Sequence, residues 1–116
     1  MRWSLSVLVL FACDADLPVA PEVVETDACD VLDWDTFAEG YLRSWCLGCH
    51  HADLDEAERN GAPIGVDFDT EADALLWGDR ILARATGDAP TMPPAGGSSP
   101  EEAERLADWL VCQGVE

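Results

Sequence analysis

"SWCLGCHH", residues 44–51, places two cysteines at a C-x-x-C spacing and follows them with two histidines. Three chemistries use such a stretch: a structural metal clamp, a thiol–disulfide exchange centre, and covalent attachment of a porphyrin. Each needs different partners elsewhere in the chain, so the choice among them also decides the fold.

A tetrahedral zinc site takes four ligands, commonly as two close pairs of Cys or His. Here Cys46, Cys49, His50 and His51 crowd into six residues, and no second C-x-x-C or H-x-x-x-H closes the set. Adjacent histidines rarely turn inward onto one metal. A dithiol exchange centre belongs at a helix N-terminus after a strand, in a βαβ framework. In this chain the helical stretch "DWDTFAEGYLRSWC", residues 33–46, runs into the motif from the other side, and no strand-rich scaffold is visible.

Haem attachment asks for C-x-x-C-H, which Cys46-Leu47-Gly48-Cys49-His50 supplies. Two thiols add to the two vinyl groups on one porphyrin edge, and the next residue brings its imidazole to the iron. Such a site predicts a second strong ligand far along the chain. Met92 meets that demand: apart from Met1 it is the only methionine, and it stands between Pro90 and the pair Pro93-Pro94. Prolines stiffen a loop by reducing its unfolded freedom, which suits holding a weak thioether in place. A lone Met is otherwise a core filler, but a Pro/Gly-rich loop is an unusual place for one. The chain has no lysine, and His51 is too close to His50 to reach the opposite haem face.

The pattern around these residues is helical. In residues 33–46, Phe37, Tyr41 and Trp45 fall four apart with Ala38 and Leu42 beside them, and Asp33 or Asp35 can cap the start. Residues 70–87 predict a second helix, opened by Thr70 with Asp73 as capping partner and ended by Gly87. Its apolar line is Ala74, Trp77 and Ile81. The last helix has the fullest signals: Ser99 as cap, Pro100 at the first position, Glu102 closing the capping box, and Gly114 as stop. Between them, residues 51–69 allow a helical turn at 53–59 and a short extended segment through Ile64, Val66 and Phe68. The expectation is a mainly α domain over 33–116, three main helices joined by loops long enough to be functional.

Residues 1–12 read as a signal peptide, one arginine followed by an apolar run too short to span a bilayer. Leu10-Phe11-Ala12-Cys13 resembles a bacterial lipobox, which implies lipidation of Cys13; an uncleaved anchor and a plain secretory signal are the alternatives. Residues 13–32 mix acids with Pro18 and Pro21 and read as a linker above a membrane surface. Export to the periplasmic side of a membrane agrees with haem c attachment, which occurs outside the cytoplasm. The formal net charge is −18, with 24 acids against six arginines. That excludes nucleic acid as a partner, since phosphate binding needs clustered basic residues. The charge serves either solubility or steering toward a basic partner.

Taken together, the helix entering "CLGCH", the later "TMPP" and the final helix with an aromatic resemble the class I cytochrome c family over residues 33–114. The resemblance implies a cytochrome c-like fold around one covalently attached haem c. It implies thioether links at Cys46 and Cys49, His50 as proximal ligand and Met92 as distal ligand. Trp45 and Leu47 then become walls of the haem crevice. It also implies that the first and last helices cross, with Ala38 and Leu42 meeting Leu106, Trp109 and Leu110. Such a crossing would bring Cys29 near Cys112, and in an oxidising compartment a disulfide would follow; two free thiols are the alternative. Arg43, Trp77, Arg80 and Arg84 are candidates for haem propionate contacts, or plain surface groups.

His/Met ligation leaves no open iron position and suits one-electron transfer. The expected function is an electron carrier, not an enzyme, between membrane or periplasmic redox partners that tolerate an acidic surface. The alternative is a haem-based binding or sensing module in which a gas or partner displaces Met92. No acid, base or nucleophile converges with the motif, so no catalytic residue is expected.

Overall fold

Asp33 opens the first long helical segment. Its carboxylate accepts the Thr36 backbone N–H at 2.7 Å, and the Thr36 hydroxyl accepts the Asp33 N–H at 3.4 Å, a reciprocal cap. In the computed structural model, which describes residues 27–116, this segment starts as a π-helical turn over Trp34–Ala38. The Ala38 N–H reaches back five residues to the Asp33 carbonyl. The chain then tightens into helix α2, Glu39–Trp45, numbered after a short helix α1 at Ala28–Val31. The leader at 1–12, Cys13 and the linker as far as residue 26 lie outside the described residues.

The Thr36 hydroxyl and N–H hold the Asp33 carboxyl below its ordinary value of 3.8. A depressed acid stabilises the fold above its unfolded pKa, and that contribution is lost as pH falls through the folded pKa. The Asp33 midpoint in an NMR titration of the native chain should therefore lie below that in the denatured chain. Equal midpoints would mean that the cap does not form in solution.

The packed chain begins before Asp33, within what reads as linker. Asp27 caps α1, and Leu32 is buried in the core. The second predicted helix is two helices, α3 at Glu71–Leu76 and α4 at Gly78–Ala85. Trp77 leaves helical geometry between them, and Gly78 is buried where a Cβ would stand 2.7 Å from the Val115 side chain. The need for glycine at position 78 is thus set by a residue 37 positions further along the chain (115 minus 78). No strand forms among the described residues, and residues 53–59 and 64–68 are turns and irregular loop.

Helix α5, Pro100–Cys112, carries the capping box of Ser99 and Glu102 and ends at Gly114 in the left-handed region. There the Val115 N–H reaches the Leu110 carbonyl and the Gly114 N–H the Val111 carbonyl, closing the helix end. Its inner face delivers Leu106, Trp109 and Leu110 into one cluster with Ala38 and Leu42. Trp109 is fully buried and packs at a tilt on Trp34, ring centroids 6.1 Å apart. Cys29 and Cys112 are joined as a disulfide, with Cα atoms 5.4 Å apart. The fold among the described residues is all-helical, and none of their helices is long and apolar enough to cross a membrane.

Candidate functional site

Where α2 runs out, the chain turns through the motif: the Cys46 and Leu47 N–H groups both reach the Leu42 carbonyl, and those of Cys49 and His50 reach Cys46. This turn sets Cys46, Cys49 and His50 along one wall of a cleft. Val66, Phe68, Trp77, Arg80, Ile81, Arg84, Met92, Pro93 and Pro94 also line it. The cleft measures about 290 Å³, near the lower bound for small-molecule sites. Exposed lining residues such as Trp45 and Met92 leave it open on one side, so a planar group could project beyond the enclosed space.

His50 is held twice. Its Nδ1 lies 2.8 Å from the Val66 carbonyl, to which it can only donate, and its ring stacks on Phe68 with centroids 4.5 Å apart. A proton fixed on Nδ1 leaves Nε2 as a free lone pair, the arrangement found behind metal-bound histidines. Cys46 and Cys49 are free thiols. Burial, with Cys49 close by, pushes the Cys46 thiol up to about 12. Such a thiol is a poor nucleophile at neutral pH.

Met92 is positioned from two directions. The Thr91 and Met92 N–H groups both donate to the Arg84 carbonyl, at 2.8 and 2.9 Å, tying the loop to the end of α4. Behind it the Pro93 ring lies against Gly97, where an added Cβ would come 2.5 Å from Pro93 Cδ. A proline ring cannot fold away, so Gly97→Ala should push the Met92 rim outward while the core stays intact. Chemical shifts of the Met92 methyl group should move, and those of the Leu106 methyls should not.

Of the four propionate candidates, Trp77, Arg80 and Arg84 line the cleft and Arg43 does not. Arg43 is instead exposed and paired with Glu39 at 2.7 Å, one turn back along α2. Arg80 and Arg84 have no carboxylate partner among the described residues. Two guanidinium groups at one cleft, without a carboxylate partner among the described residues, are able to hold an anionic group there. Of the two expected crevice walls, Trp45 lines the cleft, whereas Leu47 packs against the core cluster because the turn after Trp45 points it inward.

Arg59 escaped the sequence reading. It is 1% exposed, borders the cleft and pairs with Asp67 at 2.7 Å. Its one signal is that it is the sole arginine in residues 51–69, which have no periodicity to place it inside or outside. His51 turns to the carboxylates of Asp69 and Asp53, at 3.2 and 4.0 Å, not to the cleft. Among the described residues no group of three or more His, Cys, Asp or Glu converges to hold a bare metal ion. A haem asks less of the chain, since the porphyrin supplies four nitrogens, and Cys46, Cys49, His50 and Met92 around one cleft fit it. Comparison with protein-family models, with curated proteins and with solved structures gives no match.

Proposed function

We propose that the chain is a monohaem c-type cytochrome with a cytochrome c-like fold, carrying single electrons between membrane or periplasmic redox partners. One observation carries the reading: Cys46, Cys49, His50 and the distant Met92 line a single cleft, with His50 turned so that Nε2 is its free nitrogen. When bound, a haem c held by one imidazole and one thioether supplies an iron that gains or loses one electron with no open coordination position.

The chain's residues divide the remaining work. Cys46 and Cys49 bind the group covalently through their sulfurs, and Val66 keeps the proton of His50 on Nδ1. Arg80 and Arg84 offset the charge of the propionates, with Trp77 beside them. Phe68 and Ile81 keep water from the buried side. The lipid anchor at Cys13 would tether this domain to a membrane, and the Cys29–Cys112 bridge fits an oxidising compartment such as the periplasm. With an acidic surface and no lysine, the partners are redox proteins that accept an acidic face.

Met92 also borders a second cavity of about 250 Å³, formed with Ala85, Gly97 and Ala103. Open space beside Met92 lets its side chain move aside, which favours a second reading, a sensing module in which a gas displaces Met92. Carbon monoxide added to the reduced protein separates the two, because a carrier resists it and a sensor binds it. The covalent claim is tested by mass: the chain exported with haem c maturation machinery should gain one haem, borne by the peptide containing Cys46 and Cys49. A chain of unmodified mass would overturn the proposal.

A further inference from the structure

Arg59 brings a positive charge almost wholly out of water, which is costly unless every donor it exposes finds an acceptor. Its Nε donates to the Leu54 carbonyl at 3.0 Å and its Nη2 to the His51 carbonyl at 2.8 Å. Its Nη1 is shared between the Pro63 carbonyl at 3.2 Å and the Asp67 carboxylate at 2.7 Å. These acceptors are not scattered. His51 follows His50 directly, while Pro63 and Asp67 bracket Val66, whose carbonyl accepts the Nδ1 proton of His50. The Phe68 N–H closes the same circuit on the His50 carbonyl at 3.0 Å.

We propose that Arg59 is a positioning residue that fixes the Val66 carbonyl against His50 Nδ1 and so sets how strongly His50 donates to iron. The proposal rests on the haem reading above. No strand or helix holds residues 51–69 in place; the guanidinium fork substitutes for one. The planar fork is what the geometry requires, since a lysine brings the same charge but only a point donor. Weakening the bond at Nδ1 makes the imidazole less basic and a poorer ligand for ferric iron, which raises the midpoint potential.

The test uses the reduced full-length holoprotein and follows solvent exchange of the His50 Nδ1 proton by NMR, together with the midpoint potential. Arg59→Lys should speed exchange by about fivefold, the factor that loss of one net hydrogen bond implies, and should raise the potential. Arg43→Gln removes a charge from an exposed site on α2 and should leave exchange unchanged while lowering the potential slightly. If Arg59→Lys fails to accumulate, Asp67→Ala decides, with faster exchange expected there too. Haem-bearing Arg59→Lys, or in its absence Asp67→Ala, with wild-type exchange and potential overturns the proposal alone. A wild-type chain without haem overturns the functional reading, and this proposal with it.

Discussion

Replacing Cys29 and Cys112 together by serine should destabilise the domain by about 4.5 kcal/mol. The bridge spans a sequence separation of 83, and the chain-entropy relation gives that figure for a loop of this length. For a domain of this size, such a loss lowers the melting temperature by on the order of 20 °C or more. The effect is large because the bridge ties α1 to the end of α5, the two ends of the described fold. α1 has no other strong hold: it is four residues long and buries none of them. Thermal unfolding of the oxidised chain beside the double variant measures the difference. A shift of a few degrees would mean that burial of Leu32 and the Trp34–Trp109 contact already close the chain.

On the proposed haem reading, Met92→Ala should convert an iron that resists carbon monoxide into one that binds it fully on reduction, with the midpoint potential falling as the thioether is lost. The change should be confined to the site. Met92 is 39% exposed and outside the core cluster, so the fluorescence of the buried Trp109 should be unchanged. Carbon monoxide binding that is equal in wild type and variant would show that Met92 does not keep the gas from the iron, either because the gas displaces it, as in the sensing module, or because it is not a ligand.

Local chemistry makes part of the fold and site readable, whereas the pairing of Cys29 with Cys112, 83 positions apart, is implied only by the family resemblance. Ser99, Pro100 and Glu102 announce the start of α5 within four positions, because capping is settled by the chain's own near neighbours. Asp33 does the same for the first helix. Met92 stands out because few residue types can serve as an axial ligand and its loop is written in proline. The break at Trp77 and Gly78 is different, since the space that demands glycine is defined by Val115. No window of helical periodicity contains that contact. The arginines make the same point. Arg43 and Arg59 look alike in sequence, yet one lies in water beside Glu39 and the other inside the fold against Asp67. Only closure of the loop over 51–69 separates them, and that loop is held by side-chain bonds to carbonyl groups, which leave no pattern in the sequence.

The most direct test is a reduced-minus-oxidised spectrum of the full chain, exported with haem c maturation machinery and extracted with acidified acetone before a second reading. Ligation by His50 and Met92 predicts a low-spin c-type spectrum in the native protein, haem that stays with the chain through extraction, and loss of that haem in a Cys46→Ser, Cys49→Ser variant. A colourless chain, or haem that the solvent removes, would contradict it.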